Sequence, residues 1–541
     1  MLKIFRPLLI ISSIILYLGW IYFPALTTHY LHHDDVNYFY ITTTQHKPKN
    51  YQLSLASGRF IGARIYAAYG LFVKSIADLS FLRISSFIQL IICVLIIYAL
   101  LIKYLKNPFH ALCISALMGT LPGFQVLVTF AAYAFQTTGA LLGLTAAYLI
   151  NRIPDDQNLW KRLIHPFNLL SILCLLAGFG VHPSTPLLYW TGITILFLCH
   201  SEHFSFKTVI VKMINPFFTA FCSMTLYAGI LKITKKYFTN IDIGAYNPYT
   251  IANNYVEKIN WFFQEPFLNS LNLWNIFPNH FIANTLLIFI LLTAMVYCIY
   301  TCVKSPASRR KSIIFKFLFI GIILSAFIFL SFITNLLAVK NAPYYRCCLA
   351  LTTIILLFFL LSLRQWFMFL PPKFNQILFS GFLFICLILT GINARTNLTN
   401  YRVRPSQIEL ALLMKTLKGV NFFEYQRIYV VQPDQSIIKT RYDEFGTPTS
   451  QYTFDIIGFI AAGIRECVKN NYSIYYFNFD YPTSVATFIF SDKNGKRYAF
   501  DIIIATGSDD KRVKEAPPTL TIDMTPLYYR NGELAYLRSE N

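Results

Sequence analysis

The sequence predicts a polytopic α-helical membrane protein that ends in a soluble α/β domain, and three observations predict it. The first is composition. Of 541 residues, 55% are hydrophobic and only 13% charged, about half the charged share of a soluble domain. The second is pattern: long apolar runs recur from Leu8 to Ile392, many of a length suited to crossing a hydrocarbon core. The third is where the charge lies. The net charge is +21, but 18 basic and 16 acidic residues fall from Ala394 onward, leaving 28 basic against 9 acidic before it. That excess sits in short loops between apolar runs. This is the positive-inside pattern, and it argues against a nucleic-acid surface.

The elements follow in order. Lys3 and Arg6 precede span one, residues 8–26, and no small-residue cleavage site follows it, so an uncleaved span is expected. An outer loop then runs to about Arg83. Within it, residues 57–77 mix apolar side chains with Arg59, Arg64 and Lys74, as a helix lying in the interface would. Span two covers 84–101. Spans three and four fill 109–150 around an outer turn at Pro122-Gly123. Residues 167–199 must hold spans five and six, yet two full crossings need about 20 residues each. The turn Val181-His182-Pro183-Ser184-Thr185-Pro186 is therefore expected below the outer surface, where irregular backbone needs protein or a wet cavity around it.

Span seven ends near Leu231, and a long outer loop, 232–280, follows. Span eight covers 281–302, the inner loop carries Arg309, Arg310 and Lys311, and span nine reaches Ala338. A short outer loop, 339–346, leads into span ten, which ends before Arg364. Span eleven covers 377–392. About eleven spans with basic inner loops put the N-terminus inside and the tail outside. The division is a membrane domain, 1–393, and a soluble domain, 394–541.

In the tail, 406–418 and 454–468 have helical periodicity, and 427–432, 473–479 and 486–490 read as strands. The turn Asp492-Lys493-Asn494-Gly495-Lys496 leads to a further strand, 497–504. Only Cys467 of the eleven cysteines lies in the tail, which excludes a disulfide within it. The chain has no zinc-ligand spacing, phosphate loop, nucleophile elbow or internal repeat.

One stretch organises the chemistry: Leu31-His32-His33-Asp34-Asp35-Val36-Asn37-Tyr38, just past span one. Two adjacent carboxylates cannot both face one point on a helix, so one is expected to face a reaction and the other a partner. A carboxylate at a low-dielectric boundary can act as a base toward a hydroxyl; the competing role is an N-cap. Arg59, Arg64, Lys340 and Arg346 are candidates to bind a phosphate, against snorkelling to headgroups. His182, in the recessed turn, is a candidate to bond a phosphate or leaving oxygen. Trp261, Trp274, Tyr344 and Tyr345 are candidates to contact an acceptor, against a place in the interfacial aromatic belt. Asp155-Asp156 falls on the inner side and reads as a solvated loop. His32, His33, Asp34 and Asp35 could hold a divalent cation, but adjacent ligands on one loop make no recognisable site, and no metal is assigned.

A first span followed at once by an acidic pair, with an interfacial helix behind it, resembles the GT-C superfamily of membrane glycosyltransferases. More narrowly, Asp34-Asp35 followed by Ser57-Gly58-Arg59-Phe60 resembles the bacterial O-antigen glucosyltransferases of the GtrII type, in which an aromatic after Gly-Arg is usual. The resemblance covers the membrane half. It implies a bacterial inner-membrane enzyme with its soluble domain in the periplasm. The enzyme would move a hexose, glucose in that group, from a polyprenyl-phosphate donor, undecaprenyl phosphate, to a lipopolysaccharide or other glycan acceptor, with inversion. Asp34 or Asp35 would be the base, with Asp35 slightly favoured because it lies farther past span one. No cofactor is implied, although some superfamily members use a divalent cation. The implied partners are the lipid-linked sugar, the glycan and membrane lipids, and not nucleic acid. Two alternatives stand beside this. An O-antigen ligase or polymerase would depend on outer-loop Arg and His. A lipid-linked sugar transporter or flippase would bind at the midplane between repeats. The tail run Asp443-Glu444-Phe445-Gly446 has no assigned role.

Overall fold

The structure is a computed structural model. It describes residues 2–32, 34–35, 54–55, 57–73, 75–154, 158–201, 206–237, 252–277, 279–304 and 307–420. In the tail it describes 424, 427–432, 459–460, 462–464, 467, 472–480, 485–492, 497–506 and 519–523. His33, Asp155-Asp156 and Asp443-Glu444-Phe445-Gly446 lie outside the described residues.

The chain is a multi-pass helical membrane protein. Among the described residues seven helices are long and apolar enough to cross a membrane, or eight if one bent pair counts as a span. Six of the seven are α1 (Leu2–Thr27), α3 (Leu79–Leu105), α10 (Phe206–Tyr237), α13 (His280–Lys304), α14 (Ala307–Leu330) and α16 (Leu349–Phe367). The seventh is α17 (Pro372–Leu398), which continues through a π-helical segment, Thr399–Val403, into α18 (Arg404–Leu417). The bent pair is α4 (Pro108–Gly119) and α5 (Pro122–Thr129), which meet at 59°. The shorter helices are α2 (Phe60–Phe72), α6 (Ala134–Ile150), α7 (Leu159–Leu163), α8 (Pro166–Val181), α9 (Tyr189–Ser201), α11 (Tyr255–Phe262), α12 (Leu268–Leu271) and α15 (Ile333–Leu337).

Two segments differ from their sequence expectation. Pro122 does not sit in a tight outer turn but opens α5, where its missing N–H costs nothing. The chain reverses later, through a 3-10 turn at Ala131–Tyr133. The expected interfacial helix is shorter than its apolar pattern. It begins at Phe60 because Gly58 holds φ +78, a left-handed conformation that suits glycine. A side chain at Gly58 would also strike Leu231 and Tyr227. The helix ends at Phe72, and a separate turn at Ile76–Asp78 is closed by a Ser75–Asp78 capping box. Its face of Gly62, Ala63, Tyr66 and Gly70 is buried against protein.

The region 167–199 is compressed, with helices of 16 and 13 residues joined by the turn through His182. Close backbone approach makes room for that turn. A Cβ on Gly143 would sit 2.2 Å from the Pro186 carbonyl, and one on Gly139 2.3 Å from Thr185 Oγ1. Ser184 Oγ and Asn335 of α15 bond each other at 3.3 Å. The turn is therefore walled by protein, as irregular backbone at depth requires. By contrast, α13 and α14 carry exposed apolar side chains such as Leu291, Ile299, Leu318 and Ile322, a surface suited to lipid.

In the tail, β1 (Arg427–Gln432), β2 (Tyr472–Asp480), β3 (Val485–Asp492), β4 (Arg497–Thr506) and β5 (Thr519–Asp523) form a mixed sheet of order β2-β3-β4-β1-β5. The meander β2-β3-β4 is antiparallel, while β1 runs parallel to both β4 and β5. Leu413 and Leu417 of α18 lie against Gly463, which is itself helical. The strand β5 was not expected from the sequence. Its five residues, Thr519-Leu520-Thr521-Ile522-Asp523, are too short for a clear alternation.

Helix polarity gathers one set of ends. The C-terminal ends of α1, α5, α8 and α17 lie with the N-terminal ends of α3, α6 and α16. The basic residues Lys103, Lys106, Arg152 and Arg364 fall at the other ends of α3, α6 and α16.

Candidate active site

The acidic turn is built by a tight reversal after α1. The Asp35 N–H donates to the His32 carbonyl at 2.8 Å, and this sends the two carboxylates in different directions. Asp35 is completely buried. Its Oδ2 accepts from Arg83 Nη2 at 2.9 Å and from the His32 N–H at 3.4 Å, and its Oδ1 accepts from the Ala132 N–H at 2.8 Å. Arg83, in the first turns of α3, is also completely buried. It donates from Nε to the Thr129 carbonyl at 3.1 Å and from Nη2 to the Tyr30 carbonyl at 2.8 Å. Its guanidinium lies 3.6 Å from the centre of the Tyr30 ring. Tyr30 in turn donates to the Thr129 carbonyl at 2.7 Å. Burial pushes the Tyr30 hydroxyl up to about 12, so it acts as a donor. This is a buried ion-pair network that ties α1 to α3 and α5.

Asp34 is different. It is half-buried, and the Tyr133 hydroxyl donates to its Oδ2. Arg346 lies over the Tyr133 ring at 4.2 Å and over the Tyr344 ring at 4.7 Å. The short loop that carries Arg346 rests on α5, where a Cβ on Gly123 would come within 2.8 Å of the Tyr345 carbonyl. His182, buried at the C-cap of α8, accepts from the Ser184 N–H at Nδ1, 3.3 Å. That assigns its proton to Nε2. Because Nδ1 accepts, the imidazole is neutral, and Arg59 and Arg346 both carry their charge near it. Arg59 reaches this group because Phe60 packs on Gly180 and Gly62 packs on the Val181 carbonyl, which fixes α2 against the end of α8. Asp34, Tyr133, Arg346, His182 and Arg59 thus form one chain of neighbours.

The other sequence candidates divide. Tyr344 joins the cluster beneath Arg346. Arg64 is exposed, away from the buried face of α2. The Lys340 carbonyl accepts from Lys258 Nζ at 3.3 Å, and Lys258 lies 4.7 Å over the Trp261 ring. Trp261 also donates to Glu265 at 2.7 Å. These residues form a separate group around Lys258 and Trp261 of α11. Trp274 donates to Thr120 Oγ1 at 2.8 Å, at the helix break between α4 and α5, and Tyr345 donates to the Ile276 carbonyl at 2.8 Å, tying its loop to the segment after α12. His32 Nε2 pairs with Arg402 Nη1 at 2.8 Å.

Sequence reasoning missed three residues here. Tyr133 lies in an apolar run with no polar neighbour to mark it. Arg402 sits in the tail yet is buried, its guanidinium over Phe130. Arg83 had a signal: a guanidinium leading an apolar run needs an anion, and few carboxylates precede Ala394. No protein-family model matches the chain, and no curated protein matches it either.

Proposed function

We propose that this chain is a membrane glycosyltransferase that moves a hexose, glucose by resemblance, from a polyprenyl-phosphate donor to a lipopolysaccharide-type glycan. One observation carries the proposal: a half-buried carboxylate, Asp34, grouped with Arg346, neutral His182 and Arg59 at one end of an apolar helix bundle. The cluster matches what the reaction needs. An acceptor hydroxyl attacks C1 of the sugar while Asp34 takes its proton. The bond from C1 to the phosphate oxygen breaks, and the lipid phosphate leaves with the electron pair. Arg59 and Arg346 meet the charge that develops there, and His182 Nε2 can donate to a phosphate oxygen. Attack opposite the leaving group inverts C1.

A lipid-linked donor also accounts for the membrane body, since its chain would lie along exposed apolar helices while its head reaches the cluster. In this proposal the cluster end faces the periplasm, together with a soluble α/β domain made from 394–541, and about eleven segments cross or enter the inner membrane. The test is label transfer. Purified protein in lipid nanodiscs is given polyprenyl-phosphate glucose, labelled in the sugar, with lipopolysaccharide. Label appearing in the glycan, with polyprenyl phosphate released, supports the proposal. Label that only crosses the bilayer on its intact carrier refutes it in favour of a flippase.

A further inference from the structure

Tyr133 touches the two halves of the candidate site with different parts of one side chain. Its hydroxyl donates to Asp34 Oδ2, and its ring carries the Arg346 guanidinium at 4.2 Å. The residue is itself held at several points. Its ring stacks on Phe130 with centroids 4.6 Å apart and planes at 29°, and Phe130 in turn lies under Arg402. Its backbone neighbour Ala132 donates to Asp35 Oδ1 at 2.8 Å. Two consecutive residues of the 3-10 turn therefore bond two consecutive residues of the acidic turn. Tyr133 is also buried, with 8% of its surface exposed, so its position is set by packing.

We propose that Tyr133 is a positioning residue, which holds the Asp34 carboxylate and the Arg346 guanidinium in register for one substrate. This rests on Asp34 acting as the base and Arg346 as a phosphate ligand. Tyr133 keeps its own proton throughout; no bond forms or breaks at it. Its work is geometric and electrostatic: a fixed donor favours the charged carboxylate, and a fixed ring gives the cation one preferred seat.

Tyr133→Phe removes the hydroxyl and keeps the ring. Turnover should fall about tenfold as the base loses its orientation, while donor KM stays within about twofold because the ring remains under Arg346. The acid limb of the pH–rate profile should rise by about one pH unit, the effect of losing one hydrogen bond to a charged group. Tyr133→Leu removes the ring as well, so donor KM should also rise, by about threefold or more. A tyrosine with only a packing role would lower the yield of folded protein and leave the acid limb in place.

A second readout needs no turnover. Infrared spectra of the full chain in nanodiscs, titrated with pH, isolate the Asp34 carboxyl band by subtraction of Asp34→Asn. The midpoint should rise by about one pH unit in Tyr133→Phe. An unmoved midpoint overturns the proposal even if the wild type transfers sugar. A midpoint moved in Tyr133→Phe, when the wild type transfers no sugar, supports the positioning and refutes glycosyl transfer instead.

Discussion

Asp34 and Asp35 are neighbours in sequence with opposite surroundings. Asp35 has no exposed surface and is bonded to a guanidinium and two backbone N–H groups. Asp34 is half-buried and faces Tyr133 and, through it, Arg346. The difference shows how one side of a turn can support the other. A buried ion pair is costly to desolvate and gains little net stability, but breaking it leaves an uncompensated charge in the interior. The Asp35–Arg83 pair therefore pins the turn, and Asp34 inherits a fixed backbone from which to act.

The comparison can be broken most easily on its buried side. Arg83→Ala strands the Asp35 carboxylate, and Asp35→Asn strands the guanidinium. Either should cost about 3–5 kcal/mol, seen as a large loss of folded protein or a depressed thermal midpoint in detergent. Wild-type midpoints for both variants would remove the distinction between the two carboxylates.

A smaller effect is expected on the open side. Arg346→Ala should weaken binding of the polyprenyl-phosphate donor by about 10–100-fold, as the loss of a charge-assisted contact would, with little change in thermal midpoint. Unchanged donor affinity, measured by calorimetry in nanodiscs, would return Arg346 to a role in stacking on Tyr133 and Tyr344.

Much of the helical architecture was legible because long apolar runs leave few alternatives. The tail strands β1 to β4 also lie close to their expected positions, because alternation and turn residues mark them. What the sequence could not display was depth. Asp34 and Asp35 look alike in a string of letters, and the sequence lean toward Asp35 rested on distance along the chain. Burial separates them, and burial depends on where Arg83 and Ala132 arrive in space. Tyr133 was invisible for the same reason: an aromatic in an apolar run acquires a role only from what lies against it. The glycines that seat the recessed turn, Gly139 and Gly143, likewise read as ordinary small residues until Thr185 and Pro186 are packed on them.

The most direct test replaces the open carboxylate alone. Asp34→Asn keeps the shape of the side chain and its capacity to cap a turn, but it removes the charge and the ability to take a proton. Sugar transfer from labelled polyprenyl-phosphate glucose should fall by about 10²–10⁴-fold, with thermal midpoint and expression like wild type. Wild-type transfer by a folded Asp34→Asn protein would contradict the account.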